Sequence, residues 1–151
     1  MIAAVWQHGQ GHGGRTLPER SRDWINQASR DLASAEAMLA SGFFEWACFA
    51  SQQAAAKAIK AVFQKMGGTA WGHSVFELLR LLSQKTPIPE ELFDCARVLD
   101  RSYIPARYPN GFDSGSPYEY FTRGDAEHAI LCGGRIVALC AGILAPAGPA
   151  A

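Results

Sequence analysis

Lys57 and Lys60 stand one helical turn apart in Phe43 to Met66, a stretch with neither proline nor glycine. Two ammonium groups at that spacing can flank a phosphate, each acting as a point charge. The bland alternative is a solvated strip on a helix whose other faces are covered. Gln53, Lys57, Lys60 and Gln64 follow the i, i+4, i+7, i+11 spacing of one helix face, and nearly everything else in the stretch is apolar. His73, at the glycine turn that follows, would serve as a general base if an acid or nucleophile lay close by. It would otherwise make a local hydrogen bond. The third cluster is LDRSYIPARYPNGF, residues 99–112, where Asp100, Arg101, Tyr103, Arg107 and Tyr108 gather at a helix end. Arg107 can hold a phosphate in bidentate fashion and the tyrosines can stack on a base. The same Arg, beside Tyr-Pro, could equally pin the loop onto the body of the protein.

No GxxxxGK[ST], GxGxxG before a strand, HExxH or GxSxG occurs, so no catalytic residue is assigned. His8 and His12 are candidate metal ligands only if helical, and Gly9, Gly11, Gly13 and Gly14 oppose a helix there. Two ligands without a third do not make a site, so neither a metal nor a cofactor is expected.

These side chains need elements to position them. A helix with so thin a polar strip must be covered on most sides, which makes 43–66 the central helix of a bundle. Its alanines at 47, 50, 54, 55, 56, 58 and 61 suit close helix approach, with Trp46, Phe49 and Phe63 expected to fill the gaps at its ends. An earlier helix is expected from Ser21 to about Leu39, with Trp24, Ala28, Asp31 or Leu32, Ala35 and Leu39 inward. Ser41 and Gly42 end it, and so short a link forces an antiparallel hairpin. Beyond Gly67 and Gly68, Ser74 and Glu77 form the two halves of a capping box for a short helix with Val75, Leu78, Leu79 and Leu82 inward. A fourth helix opens near Ile88 and Pro89, presents Leu92, Ala96, Leu99 and Tyr103, and stops at Pro105. Residues 105–121 read as a long aperiodic loop, either functional or disordered. The last helix spans Thr122 to Leu144. Gly133 and Gly134 in its middle each cost about 1 kcal/mol relative to Ala, which a close neighbour would explain.

The expected fold is therefore all-α, an up-and-down bundle of four to five helices with no strand. Residues 1–18 are expected to form a flexible N-terminal tail, 19–145 the bundle and 146–151 a C-terminal tail. The chain of 151 residues fits one domain. A formal charge of zero gives no overall field to attract nucleic acid, so any such binding rests on a local cluster. Hydrophobic residues make up 48%, an apolar excess that hints at a buried partner interface. Cys48, Cys95, Cys132 and Cys140 sit in apolar helical stretches without CxxC spacing and read as free thiols in a reducing cytosol. No apolar run approaches a membrane span and no signal peptide is evident, so the expectation is a cytoplasmic protein.

DLASAEAMLASGFFEWACFASQQAAAKAIKAVFQKMGG, then GHSVFELLRLL, then LDRSYIPARYP, in that order and at these spacings, resembles the HEPN domain, the nucleotide-binding domain of higher eukaryotes and prokaryotes. The resemblance covers residues 22 to about 144 and implies a helical bundle that pairs as a homodimer. It further implies binding of a nucleotide or RNA, and a minimal nucleotidyltransferase partner in a two-component, toxin-antitoxin-like arrangement. The matching positions are Gln53, Lys57, Lys60, His73, Arg107, Tyr108 and Pro109; Tyr103 joins them as a stacking surface. Two departures matter. Ala56 stands where the family usually has Glu. Ribonuclease members carry Arg followed four to six residues later by His, whereas after Arg107 no His comes until His128. The expectation is a non-catalytic binding module, with a dimeric metal-independent ribonuclease using His73 and Arg107 as the alternative, and a purely structural dimerising partner as a third reading.

Overall fold

The computed structural model describes residues 4–8 and 19–146. The run of helix-forming residues without glycine or proline yields one unbroken helix, α2 (Phe44–Lys65), which buries alanines 47, 50, 54, 55, 56, 58 and 61. Small side chains let neighbouring backbones come close. α1 (Ser21–Ala40) lies along one side of α2 and α6 (Arg123–Leu144) along another, with α3 (Val75–Ser83) and α4 (Glu91–Asp100) also touching it. The α1 to α2 hairpin closes at Gly42, whose φ of +82° is a left-handed conformation open to glycine at no steric cost. There the Phe43 N–H donates to the Met38 carbonyl at 2.8 Å.

Two helix ends are capped in different ways. At α6, Thr122 and Asp125 form both halves of a capping box. At α3 only one half forms. Ser74 Oγ accepts from the Glu77 N–H, but the Glu77 carboxylate turns to Arg80 at 3.1 Å instead of reaching back. Asp100, at the end of α4, takes over. Its carboxylate accepts from Val75 N at 2.8 Å, Phe76 N at 3.0 Å and Ser74 Oγ at 2.8 Å. The open N–H groups of a helix start are thus satisfied by a distant carboxylate, which also suits the positive end of the helix dipole.

The structure corrects the expectation that no strand forms. β1 (Val5–His8), inside the stretch expected to be tail, pairs antiparallel with β2 (Gly68–Trp71), Val5 opposite Trp71 and His8 opposite Gly68. The sheet lies over the end of α2, where Trp6 approaches Phe63 with ring centroids 6.0 Å apart. A Cβ at Gly68 would collide with the Trp6 indole, so glycine there admits the strand. His12 and the other residues of 1–3, 9–18 and 147–151 lie outside the described residues.

The described residues form six α-helices, one more than expected, because the loop after Pro105 holds a one-turn helix, α5 (Pro117–Tyr120), as well as a 3-10 turn at Pro109–Gly111. This loop is built rather than aperiodic. Phe112 stacks on Tyr120 at 4.1 Å, the Tyr120 hydroxyl donates to the Ser114 carbonyl, and Ser116 and Glu119 form a capping box.

The close neighbour expected at the paired glycines is real for one of them. A Cβ on Gly133 would lie 2.9 Å from the Ser51 carbonyl oxygen, so glycine permits α6 to press against α2. Over 22 residues α6 is also long and apolar enough, by length and composition, to cross a bilayer, contrary to the reading that no run approaches that length. In the bundle it instead buries Ala126, Ala129, Cys132, Ile136, Val137 and Cys140. All four cysteines are buried free thiols, as expected.

Candidate functional site

Phe44 and Lys65 are unburied at the two ends of α2, and between those ends the residues that escape burial are Trp46, Phe49, Gln53, Lys57, Lys60 and Gln64, which share one face at helical spacing. They form a single stripe of about 27 Å at 1.5 Å per residue. The polar strip read from the sequence is thus one part of a longer face whose other part is aromatic. Trp46 does not fill a gap in the core; it is 43% exposed.

Within one chain, Lys57, Lys60, His73 and Arg107 do not gather at one point. They fall into two groups. Lys57 donates from Nζ to Asp31 Oδ2 of α1 at 2.5 Å, with the two side chains 30% and 16% exposed. Lys60 Nζ lies 5.9 Å from the ring centroid of Trp24, also on α1, and has no acidic partner among the described residues. Burial, and secondarily the charge of Lys57, hold the Lys60 ammonium below the usual lysine range. Gln53 donates to Gln52 Oε1 at 2.9 Å, which ties the stripe there to a buried side chain.

The second group sits toward the start of α2. Arg107 lies over Phe49, Tyr103 and Tyr108, with its guanidinium carbon 4.4, 4.7 and 5.1 Å from the three centroids. Its Nε donates to the Tyr103 carbonyl at 2.9 Å. Both openings read from the sequence meet here: Arg107 pins its own turn and yet keeps guanidinium donors beyond the one that Nε uses. His73 stacks on Tyr103 at 5.4 Å, 16° from parallel, and its carbonyl accepts from Gln52 Nε2 at 2.7 Å. Phe49 and Lys57 are separated by about 12 Å of helix axis, so no single phosphate bridges the two groups.

Four residues that shape this face carry no motif in the sequence. Asp31 falls on the inner side of α1 by its spacing, and an inward carboxylate opposite a lysine strip is a signal that charge pairing would find. Trp24 reads as core. Gln52 is fully buried and bridges the His73 carbonyl to Asp100 at 3.3 Å. Asp100 reads only as part of a charged cluster, since nothing local shows that it caps another helix.

The HEPN domain family matches residues 21–143. The chain belongs to the HEPN domain family. Solved structures agree in fold. TT1696 from Thermus thermophilus is 41% identical with a TM-score of 0.81, over 84% of this chain and 100% of that one. The archaeal HEPN homologue ST0689 is 42% identical with a TM-score of 0.70, over 83% and 98%. The HEPN domain protein tm0613 of Thermotoga maritima is 43% identical with a TM-score of 0.67, over 81% and 97%. No curated protein matches the sequence. In this HEPN chain neither Arg101 nor Arg107 is followed four to six residues later by His, but Arg123, at the start of α6, is followed five residues later by His128.

Proposed function

We propose that this HEPN chain is a non-catalytic binding module that takes a nucleotide along the open stripe of α2. The supporting observation is that a helix buried on every other side leaves one face uncovered, cationic at one end and aromatic at the other. Among the described residues no acid neutralises the charge of Lys60, which stands on a partly desolvated site where a phosphate would be a better partner than water. Arg107, His73, Tyr103 and Tyr108 offer flat surfaces and donors about two to three turns away, suited to a base and to a second phosphate. Gln53 lies between the two ends. Lys57 adds to the positive field, although Asp31 already partners it.

The apolar side chains at the aromatic end favour a second copy of the chain there. Phe43, Trp46, Ile104 and Tyr108 are all exposed, and the reading that follows is a homodimer whose protomers meet beside the stripe. A minimal nucleotidyltransferase as the partner in a two-component system is the finer form of the same proposal. Titration of purified protein with adenine and guanine nucleotides and with short single-stranded RNA tests it. Lys60→Ala is expected to weaken the best ligand about tenfold, the loss of one charged contact. Unchanged affinity in Lys60→Ala and in Tyr108→Ala would remove the stripe as the site.

A further inference from the structure

Gly67 and Gly68 stand together after α2, yet they are glycine for different reasons. Gly67 has a φ of +83°, a left-handed conformation that its turn requires. Gly68 has no such need. A Cβ there would collide with the Trp6 indole and lie 2.8 Å from the Gln7 carbonyl oxygen, so its glycine makes room for a strand that arrives from elsewhere. Phe63 is buried against the indole, ring centroids 6.0 Å apart, and the Lys85 ammonium sits 4.0 Å from the indole centroid. Gly68, Phe63 and Lys85 thus form a receptor for one large flat side chain beside the edge of β2.

Receptor and occupant lie in different parts of the chain. Phe63, Gly68–Trp71 and Lys85 fall inside the HEPN match, which starts at residue 21, whereas β1 precedes it. Among the described residues β2 has no other strand beside it. We propose that this edge, with its indole receptor, docks an extended segment of a partner protein in which an acidic residue follows an aromatic one, and that residues 4–8 are a tethered stand-in which the segment displaces.

Backbone pairing supplies affinity at a strand edge, and alternate side chains supply selectivity. Trp6 shows what the inner face selects. The acid follows from charge: Lys85 has no acidic partner among the described residues, and residues 1–18 contain neither Asp nor Glu. A carboxylate two positions after the aromatic residue shares its face of the strand and adds a pairing to Lys85 that the chain's own segment lacks. On the outer face Val5 lies opposite Trp71, and the two are 48% and 57% exposed, so a bulkier side chain opposite Trp71 gains apolar contact as well. A second copy of the chain is the poorer occupant. Its first strand makes the same contacts as the resident one, which the short link through residues 9–20 holds at an effective concentration of roughly millimolar. Only a segment with an added contact competes below that.

The test uses the full chain carrying Trp6→Ala, which empties the receptor, and three synthetic peptides of residues 1–9: the native sequence, its His8→Glu form, and a form with both His8→Glu and Trp6→Ala. Saturable amide shifts at Gly68, Ala70 and Lys85 are expected. The His8→Glu peptide should bind about two- to fivefold tighter than the native one at low salt, the worth of one exposed ion pair, and that margin should vanish when the chain also carries Lys85→Met. Gly68→Ala added to the Trp6→Ala chain should abolish binding. The wild-type chain should bind about tenfold or more weakly, because its own strand competes. Amides of α1, α2 and α6 report whether each variant keeps the bundle. An intact bundle that binds no peptide, or binds equally with and without the peptide's indole, would overturn the docking site. A native peptide as tight as the His8→Glu form would overturn the acidic partner and give the edge to a second copy.

Discussion

The Asp100 carboxylate accepts the Val75 backbone N–H at 2.8 Å across 25 residues of sequence. One side chain at the end of α4 therefore begins α3, and through Gln52 it also reaches the centre of α2. Because four donors converge on it, Asp100→Ala should lower the unfolding free energy by about 2–3 kcal/mol. Urea denaturation measures this. A loss below about 0.5 kcal/mol would mean that solvent replaces the carboxylate without cost.

Paired substitutions at neighbouring glycines separate contact from helix propensity. Gly133→Ala places a methyl 2.9 Å from the Ser51 carbonyl oxygen, whereas Gly134→Ala meets nothing nearer than Leu32 Cδ2 at 3.8 Å. The first is expected to destabilise by about 1–3 kcal/mol as α6 is pushed away. The second should stabilise by about 0.5–1 kcal/mol, the usual gain of alanine over glycine inside a helix. Thermal melts that moved in the same direction for both would contradict this packing.

Lys60 should be a residue that binding needs and stability does not. Its ammonium is disfavoured in the fold, so below that lowered pKa wild type carries a cost that Lys60→Met lacks. As pH climbs from the folded value toward the 10.5 of the unfolded chain, the folded state sheds its proton first and the cost disappears. Lys60→Met should therefore be the more stable protein near neutrality, and its advantage should narrow with rising pH. Urea midpoints of the two proteins at several pH values decide it; an advantage that held constant would point to packing alone.

The thiols give an opposite pH dependence. Burial pushes Cys48, Cys132 and Cys140 up to about 12 from 9.0, so ionisation favours the unfolded chain between those values. Stability from these groups is complete below pH 9 and falls as pH rises toward 12. In native protein at pH 8, a colourless disulfide reagent that releases a chromophore should react slowly, and all four thiols should react at once in denaturant. Rapid titration of the native protein would contradict the burial.

The parts of this protein legible in its sequence are those that chemistry decides locally. The glycine-free run, the Gly42 turn and the Thr122 start each carry their own signal within a few residues. So do the four cysteines, whose apolar surroundings mark them as core. What escapes depends on residues far apart. Val5–His8 and Gly68–Trp71 are too short and too rich in glycine nearby to read as strands until they are laid side by side. Asp100 looks like one more charge beside Arg101 until α3 is seen to start against it. Lys57 and Arg107 stand out as cations, yet the sequence does not show that α1 and an aromatic cluster hold them apart. The stacking of Phe112 on Tyr120 depends on the course of residues 105–121, which gives no periodic signal.

The pairing of Val5–His8 with Gly68–Trp71 also sets an order of assembly. The other large interfaces join helices; those of α1 with α2 and of α3 with α4 lie between neighbours along the chain, and such local hairpins close quickly. The first strand must wait for its edge, which exists only once the turn after α2 is in place. It is then held by a few ladder bonds and one indole, a smaller stake than any long helix has in the core. Local opening should begin there, with amides of residues 5–8 exchanging with solvent well before those of α2, so that the chain's first segment is the last to arrive and the first to leave.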